Sequence, residues 1–259
     1  MMRRGNAKDS KTRFTDRVDD YRKYRPGYPA SVISSLKKKI PVRPGWIIAD
    51  IGSGTGISSR YLASGFGSPV FAVEPNAAMR RAAEEDAHGN PFFRSVDGAA
   101  EATGLPDRSV DLVCAFQAFH WFDLARTRTE CLRILRKPGW ALVAWNDRMS
   151  DARGFSTEYE RLLHSFPAYR TSTHRRISRK DFEGFFGTRR IERITVPNKQ
   201  SLDWNGVLGR LASTSYSPKQ GTPEFAKARE RLKELFDRYS VRSRIMFRYR
   251  TIVYLARIV

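Results

Sequence analysis

Asp50-Ile-Gly-Ser-Gly-Thr-Gly56 is the stretch whose reading decides the fold. It follows the apolar run Trp46-Ile-Ile-Ala49, which predicts a short buried strand. Glycines at alternate positions let the backbone turn sharply and let a ligand approach where a Cβ would clash. A helix is expected from Ile57, its N-terminal amides directed at whatever lies over the loop. Glu74 stands twenty residues past Gly54 and closes the next apolar run, Val70-Phe-Ala-Val73. A carboxylate at such a strand end accepts from the hydroxyls of a ribose. The loop therefore reads as a nucleoside cradle at the switch point of a parallel sheet.

Glycine spacing separates the nucleosides. A dinucleotide fingerprint needs a glycine three residues after its second one, so that the helix closes over a pyrophosphate. Ile57 occupies that place, and Gly56 comes one residue early. The acid that opens the loop, Asp50, would repel a pyrophosphate but suits a ligand with an ammonium group. A nicotinamide oxidoreductase is thereby disfavoured. Asp-x-Gly-x-Gly-x-Gly resembles the first motif of class I S-adenosylmethionine-dependent methyltransferases.

The apolar runs and helix-length stretches around this loop alternate, as in a βαβ sheet. Strands are expected at Trp46–Asp50, Val70–Glu74, Phe92–Val96, Asp111–Phe116 and Ala141–Asn146. Ile57–Ala63, Asn76–Ala87 and Leu124–Leu135 carry helical periodicity, and Pro138-Gly139 is expected to end the last of these. Further on, Ile191–Val196 and Phe247–Val259 read as strands and Glu224–Tyr239 as a helix.

The chain has 259 residues and a net charge of +20, unevenly placed. Residues 1–43 carry 13 basic against 4 acidic residues, residues 44–146 carry 10 against 11, and residues 147–259 carry 24 against 12. The cradle-bearing middle is neutral and the flanks are basic. Such flanks raise encounter rates with anions, or are simply an arginine-rich surface, since Arg outnumbers Lys 35 to 12. The two cysteines, Cys114 and Cys131, lack metal-ligand spacing, so no metal is expected, and their use fits a reducing compartment. The first residues lack the apolar stretch of a signal peptide, and no run approaches the ~20 residues of a membrane span. The cytoplasm is the expectation.

Several motifs extend the resemblance. Besides the loop and Glu74-Pro75, these are Gly98-Ala-Ala-Glu101, Leu105-Pro-Asp-Arg-Ser-Val-Asp111 and Leu132-Arg-Ile-Leu-Arg-Lys-Pro-Gly139. Together they resemble the methyltransferase group that includes ubiquinone-pathway, sterol and trans-aconitate enzymes. Tyr21-Arg-Lys-Tyr-Arg-Pro-Gly-Tyr-Pro29, Phe119-His-Trp-Phe122 and Ser213-Thr-Ser-Tyr-Ser-Pro218 are similar to a branch related to trans-aconitate methyltransferases. The resemblance implies an α/β fold: a Rossmann-like seven-stranded class I methyltransferase sheet, mostly parallel, with its last pair antiparallel and a helical lid. One domain is expected, with residues 1–43 as an N-terminal lid, 44–146 as the cofactor-binding core, and 147–259 supplying lid helices and the last two strands.

The resemblance also implies roles. S-adenosylmethionine would be the cofactor, its methionine portion held by Asp50 and the backbone of Gly52, Ser53, Gly54 and Gly56. Glu74 and Pro75 would meet the ribose. Met79 would pack on the adenine, unless it is ordinary helix core. The amides of Ala100 and Glu101 would meet the adenine edge. Many members carry an acid where Ala99 stands, so adenine recognition here must lean on backbone or on Asp97. Gln117 is expected to line the cofactor pocket.

Phe116-Gln-Ala-Phe-His-Trp121 follows the fourth strand, where such sheets open onto the substrate. His120 is the one side chain of this loop that titrates near neutral pH, either as a general base or as a polar anchor of the turn. Arg25 is expected near an anionic group of the cofactor or the acceptor, or else in a structural turn. Tyr28, Trp121 and Tyr216 are expected to wall the acceptor pocket, with any of them free to belong to the lid's own core. The motifs of base amino-methylating enzymes and of cytosine carbon methylation are absent from the end of the fourth strand. The expected reaction is methyl transfer to a small, possibly anionic molecule at a carboxylate or hydroxyl oxygen, with no specific nucleic acid partner. An RNA methyltransferase, favoured only by charge, and a cofactor-binding protein without catalysis are the alternatives.

Overall fold

The computed structural model describes residues 15–150, 153–171 and 177–258. Helices α1 (Val18–Tyr24) and α2 (Ala30–Lys37) precede the first strand, β1 (Ile48–Ile51). The chain then alternates: α3 (Ile57–Phe66), β2 (Val70–Val73), α4 (Ala77–Asp86), β3 (Phe93–Val96), β4 (Val110–Phe116), α5 (Leu124–Ile134) and β5 (Leu135–Arg148). Three helices follow, α6 (Phe155–His164), α7 (Pro167–Arg170) and α8 (Arg179–Phe186). The last part is β6 (Glu192–Leu202), α9 (Trp204–Ala212), α10 (Pro223–Tyr239) and β7 (Ile245–Arg257).

The seven strands form one sheet in the order β3-β2-β1-β4-β5-β7-β6. β1 to β5 run parallel, and β7 lies antiparallel between β5 and β6. The order reverses between β1 and β4, so the loops after these strands diverge and leave a crevice at their carboxyl ends. This is the Rossmann-like class I methyltransferase sheet that the sequence predicts.

Side-chain alternation splits the core. Ala49 and Ile51 of β1 join Val113 and Ala115 of β4 on one face, against Cys131 and Ile134 of α5 and Phe182, Phe185 and Phe186 of α8. Ile48, Leu112 and Cys114 point to the other face, against Val32, Ile33 and Leu36 of α2 and Leu62 of α3. A third core, built from α6, α9 and α10, closes over Ile245, Phe247 and Tyr249 at the start of β7.

Several sequence expectations need correction. β1 starts at Ile48, not Trp46, and β3 at Phe93. β5 begins at Leu135, six residues before Ala141, because Leu135 pairs with Val110. The ladder resumes only at Trp140 opposite Leu112, so Pro138-Gly139 lies in an irregularity of the strand rather than between helix and strand. β6 runs on to Leu202, paired with Ile245, because the antiparallel partner supplies a ladder that local hydrophobicity does not reveal. Helices α2 and α8 are core layers on the sheet, not parts of a lid.

What does lie across the crevice is the segment from Thr15 to Tyr28, held at many points. Arg17 donates to the carbonyls of Ala212 (2.9 Å), Thr214 (2.5 Å) and Ser217 (2.7 Å) beyond the end of α9. Arg22 reaches the other way, to Glu85 (2.8 Å) and Asp86 (2.6 Å) of α4. The Gly27 carbonyl accepts from Asn146 (3.1 Å) and Asn198 (2.9 Å). The first helix therefore straps the C-terminal helices to the nucleotide-binding half.

The tightest contact of that strap is between Gly209 of α9 and the ring of Tyr24, where an added Cβ would fall 2.1 Å from ring carbons. Gly209→Ala is expected to cost about 1–3 kcal/mol as overpacking and to expose α1 to cleavage after Arg22 or Lys23. Gly184→Ala on α8, where a Cβ meets nothing within 4 Å, is the control. Thermal melts and limited proteolysis check both, and matching behaviour of the two variants would refute the packing role.

Candidate functional site

The site is built from the loops that leave β1, β2 and β4. Gly52 and Gly54 take positive φ values of 69° and 57°. A Cβ on Gly52 would lie 2.7 Å from that of Ala118 after β4, so the approach of these two loops requires glycine as well. The Val73 carbonyl accepts from the amides of Gly52 (2.8 Å) and Ser53 (3.1 Å). Glu74, 8% exposed, completes the tie: one carboxylate oxygen accepts from the Gly54 amide and the other from the Asn76 amide, both at 2.9 Å. Asn76 in turn caps α4 through Ala78 and Met79 (3.0 Å each). Burial raises the Glu74 carboxyl, while these amides and Arg80 oppose the shift.

Asp50 lies beneath the loop, fully buried. One of its oxygens accepts from the hydroxyls of Ser58 and Ser59 at 2.6 Å each, and the other has no partner. Desolvation outweighs the two hydroxyls and pushes its carboxyl up to about 6, with Glu74 adding to the rise. An uncompensated buried acid under a glycine loop fits a cationic ligand group.

Three cavities meet here. One of about 110 Å³ runs along Gly52, Gly54, Glu74, Pro75, Met79, Ala100, Glu101 and Gln117, so eight sequence-predicted cofactor residues do converge. Ala100 and Glu101 form the centre of a tight turn whose two bonds use the amides of Ala99 and Ala102 (3.0 and 3.1 Å), leaving their own amides outside it. Asp97 is tied to Arg80 at 2.9 Å. Three predicted residues lie elsewhere: Asp50, fully buried beneath the loop, lines none of the three cavities, and Ser53 lines a neighbouring recess of about 30 Å³. Gly56 starts α3 with its α-carbon turned to Ala83 of α4, where a Cβ would stand 3.0 Å from that residue's, so it packs helices and faces none of the cavities described here.

The third cavity, about 450 Å³, shares Tyr21, Gln117 and Trp121 with the first. Arg25, His120, Trp121 and Tyr216 line it as the sequence predicts. Tyr28 does not. Its ring packs on Phe116 (4.7 Å between centroids) and Tyr61 (5.5 Å) and lines the small recess, because Pro26 and Gly27 turn the chain down onto the sheet before it. The imidazole of His120 sits 4.9 Å from the Trp121 ring on a short helical turn anchored by buried Phe119.

Sequence reasoning missed Tyr21, which lines all three cavities, and the arginines Arg148 and Arg210. Arg148 pairs with Glu160, which also accepts from the Tyr169 hydroxyl. A signal existed for Arg210: it stands on the same helical face as Val207 and Leu211, so a charge interrupts an apolar stripe. Among the described residues no group of three His, Cys, Asp or Glu side chains is placed to hold a metal ion, and no helix is long and apolar enough to cross a membrane.

A switch-point crevice, a glycine loop over a buried acid and a strand-end glutamate are the parts of a nucleoside-binding site. Residues 49–143 match the family described as a methyltransferase domain. An uncharacterized methyltransferase of Mycobacterium tuberculosis is 35% identical over 147 residues, 55% of this chain and 56% of that protein. The malonyl-[acyl-carrier protein] O-methyltransferase of Methylococcus capsulatus is 37% identical over 92 residues, 35% of this chain and 34% of that one. The chain thus spans about half the length, or less, of these curated relatives. A putative type II methyltransferase from Anaeromyxobacter dehalogenans shares the fold, with a TM-score of 0.63 and 24% identity over 91% of this chain and 99% of that one. The comparisons thus liken residues 49–143 to a methyltransferase domain.

The raised Asp50 carboxyl has a consequence for stability. Because its folded value exceeds the ordinary aspartate value near 4, the folded protein holds this proton more tightly than the unfolded chain does. Its stabilising share is therefore full below about pH 4 and lost as pH rises through about 6. Asp50→Asn is expected to raise the melting temperature of the ligand-free protein at pH 8, with the gain vanishing toward pH 4. A melt series across that range checks it, and a gain independent of pH would refute the assignment.

Proposed function

We propose that this protein transfers the methyl group of S-adenosylmethionine to an oxygen atom of a small molecule held in the 450 Å³ cavity. The observation that carries the reading is the shared wall: Tyr21, Gln117 and Trp121 border both the glycine-loop cavity and the larger aromatic one. A donor in the first and an acceptor in the second would meet at these residues. The finer kinship to the trans-aconitate branch belongs to this proposal, supported by the way the Tyr21–Pro29 motif borders the site. The Methylococcus relative is named an O-methyltransferase, which supports oxygen as the acceptor atom.

In this reading Asp50 offers its unpartnered oxygen to the ammonium group, and the Gly52–Gly54 backbone cradles the methionine portion. Glu74 keeps lone pairs beyond its two amide bonds for a ribose. Met79, the Ala100 and Glu101 turn, and Pro75 surround the base. The cofactor supplies an electrophilic methyl on sulfur. With that group bound, an acceptor oxygen would form the C–O bond as the C–S bond broke, leaving the electron pair on sulfur. A carboxylate has no proton to lose, whereas a hydroxyl does, and in this reading His120 on the cavity wall would take it. The enzyme's main contribution is alignment and exclusion of water.

Glu74→Ala is expected to weaken S-adenosylmethionine binding by about 1.5–3 kcal/mol, the range for hydrogen bonds to a charged group. Calorimetry checks this, and an unchanged affinity would remove Glu74 from the ribose. For the reaction itself, methyl-labelled cofactor is offered with a panel of small carboxylic acids and alcohols and, separately, with total RNA. Label is expected in small molecules only. Label confined to RNA would overturn the reading.

A further inference from the structure

The large cavity reaches both faces of the sheet, and its two lobes differ in chemistry. Trp145 of β5 stands directly opposite Ile252 of β7 in the antiparallel ladder, so the two side chains share a face, and Tyr254 joins them two residues on. α8 covers this face with Phe182, and Ile177 just before α8 packs on the same core. All five line the cavity. Tyr249 points to the opposite face, where α6, α7 and α9 bring up Glu160, Tyr169 and Arg210. One lobe is therefore polar, and the other is built mainly of rings and aliphatic side chains.

The rings of the second lobe form a corner. Phe182 and Tyr254 lie 27° from parallel with their centroids 4.3 Å apart. Trp145 stands across both, at 89° to Phe182 (5.8 Å) and at 77° to Tyr254 (6.2 Å). A further ring entering such a corner meets one wall by its edge and the other by its face, the arrangements that aromatic pairs prefer. A saturated group of equal size gains the same cover from water but not this electrostatic fit. The lobe also begins beside the donor. Gln117, which borders the glycine-loop cavity, donates its amide to the Ala144 carbonyl (2.9 Å) and its Nε2 to the Asn146 carbonyl (3.3 Å), the residues on either side of Trp145. A group seated against Trp145 is thus next to the wall that both cavities share.

We propose that the corner of Trp145, Phe182 and Tyr254 is an aromatic subsite, and that the methyl acceptor carries a planar ring joined by a short link to its reacting oxygen. The inference rests on the methyl-transfer reading of this cavity and adds the chemical class of the acceptor's body to it. Cofactor binding does not call for the corner, since none of its three residues lines the glycine-loop cavity. Phe182 is then a specificity-determining residue: its ring distinguishes flat unsaturated groups from saturated ones of the same size.

The test uses the full chain with S-adenosylhomocysteine bound and three neutral alcohols of equal carbon number: benzyl alcohol, cyclohexylmethanol and 1-heptanol. The two saturated alcohols are the more apolar, so unspecific partition would favour them. Benzyl alcohol is expected to bind about threefold tighter than either, or more, the scale of an aromatic pair. With carbon-13-labelled isoleucine methyl groups, it is expected to shift the resonances of Ile177 and Ile252 and to leave that of Ile48 in place. Phe182→Leu, which keeps apolar bulk without the ring, is expected to remove the preference while S-adenosylhomocysteine affinity stays unchanged; Phe182→Tyr is expected to retain it. Equal or weaker binding of benzyl alcohol would overturn the proposal, as would unmoved Ile177 and Ile252 methyls. A preference that survives in Phe182→Leu would remove the corner as its source. The comparison of alcohols and the methyl shifts of the unmodified protein decide the matter even if Phe182→Leu does not fold. Failure of the unmodified protein to bind S-adenosylhomocysteine would sink the methyl-transfer reading as well; intact binding without a ring preference sinks only this inference.

Discussion

The site depends on one carboxylate that joins two loops. Glu74 accepts from Gly54 on the loop after β1 and from Asn76 at the start of α4, each at 2.9 Å. The first bond fixes a glycine in the left-handed region; the second orients the residue that caps the helix carrying Met79. With Val73 accepting from Gly52 and Ser53, the two loops become one surface. A buried acid satisfied by backbone amides is strong because the charge assists each bond. It is also a constraint, since any residue without two acceptor oxygens at position 74 would release both loops at once.

The larger cavity has a different origin. Its walls come from α1, from the turn after β4, from β5 and β7, and from α6 and α9, segments far apart in the chain. They meet because Arg17 and Arg22 tether α1 in opposite directions, to the turn beyond α9 and to α4. None of these tethers is a hydrophobic contact. The strap rests on these hydrogen bonds and ion pairs, individually modest, together with the packing of Tyr24 against Gly209.

Charge acts on two scales. The net +20 sits mostly on exposed side chains, where pairs such as Arg179 with Glu183 and Lys233 with Asp237 contribute little and weaken with salt. Inside the cavity a few arginines, out of water, dominate. Arg148 has Glu160, whereas Arg25 and Arg210 have tyrosines.

The amino-acid sequence by itself determined the Rossmann-like sheet and the cofactor side of the crevice, because both follow from local rules. Alternating apolar runs specify buried strands, and three glycines between two acids specify a turn that only one ligand geometry fits. Of the eight predicted cofactor residues that are contiguous in space, Gly52, Gly54 and Glu74 follow from such rules, whereas Pro75, Met79, Ala100, Glu101 and Gln117 came from the family resemblance. Even locally some signals misled: Gly56 matches the motif yet serves helix packing, and Pro138-Gly139 interrupts a strand that had already begun. Only the tertiary structure decided the larger cavity. Tyr28 turned onto the sheet and Arg210 turned into the cavity because contacts with residues distant in the chain, such as Phe116 and Tyr249, set their surroundings. Local patterning encodes which face of an element is buried; what that face meets depends on long-range packing, which no single window of sequence contains.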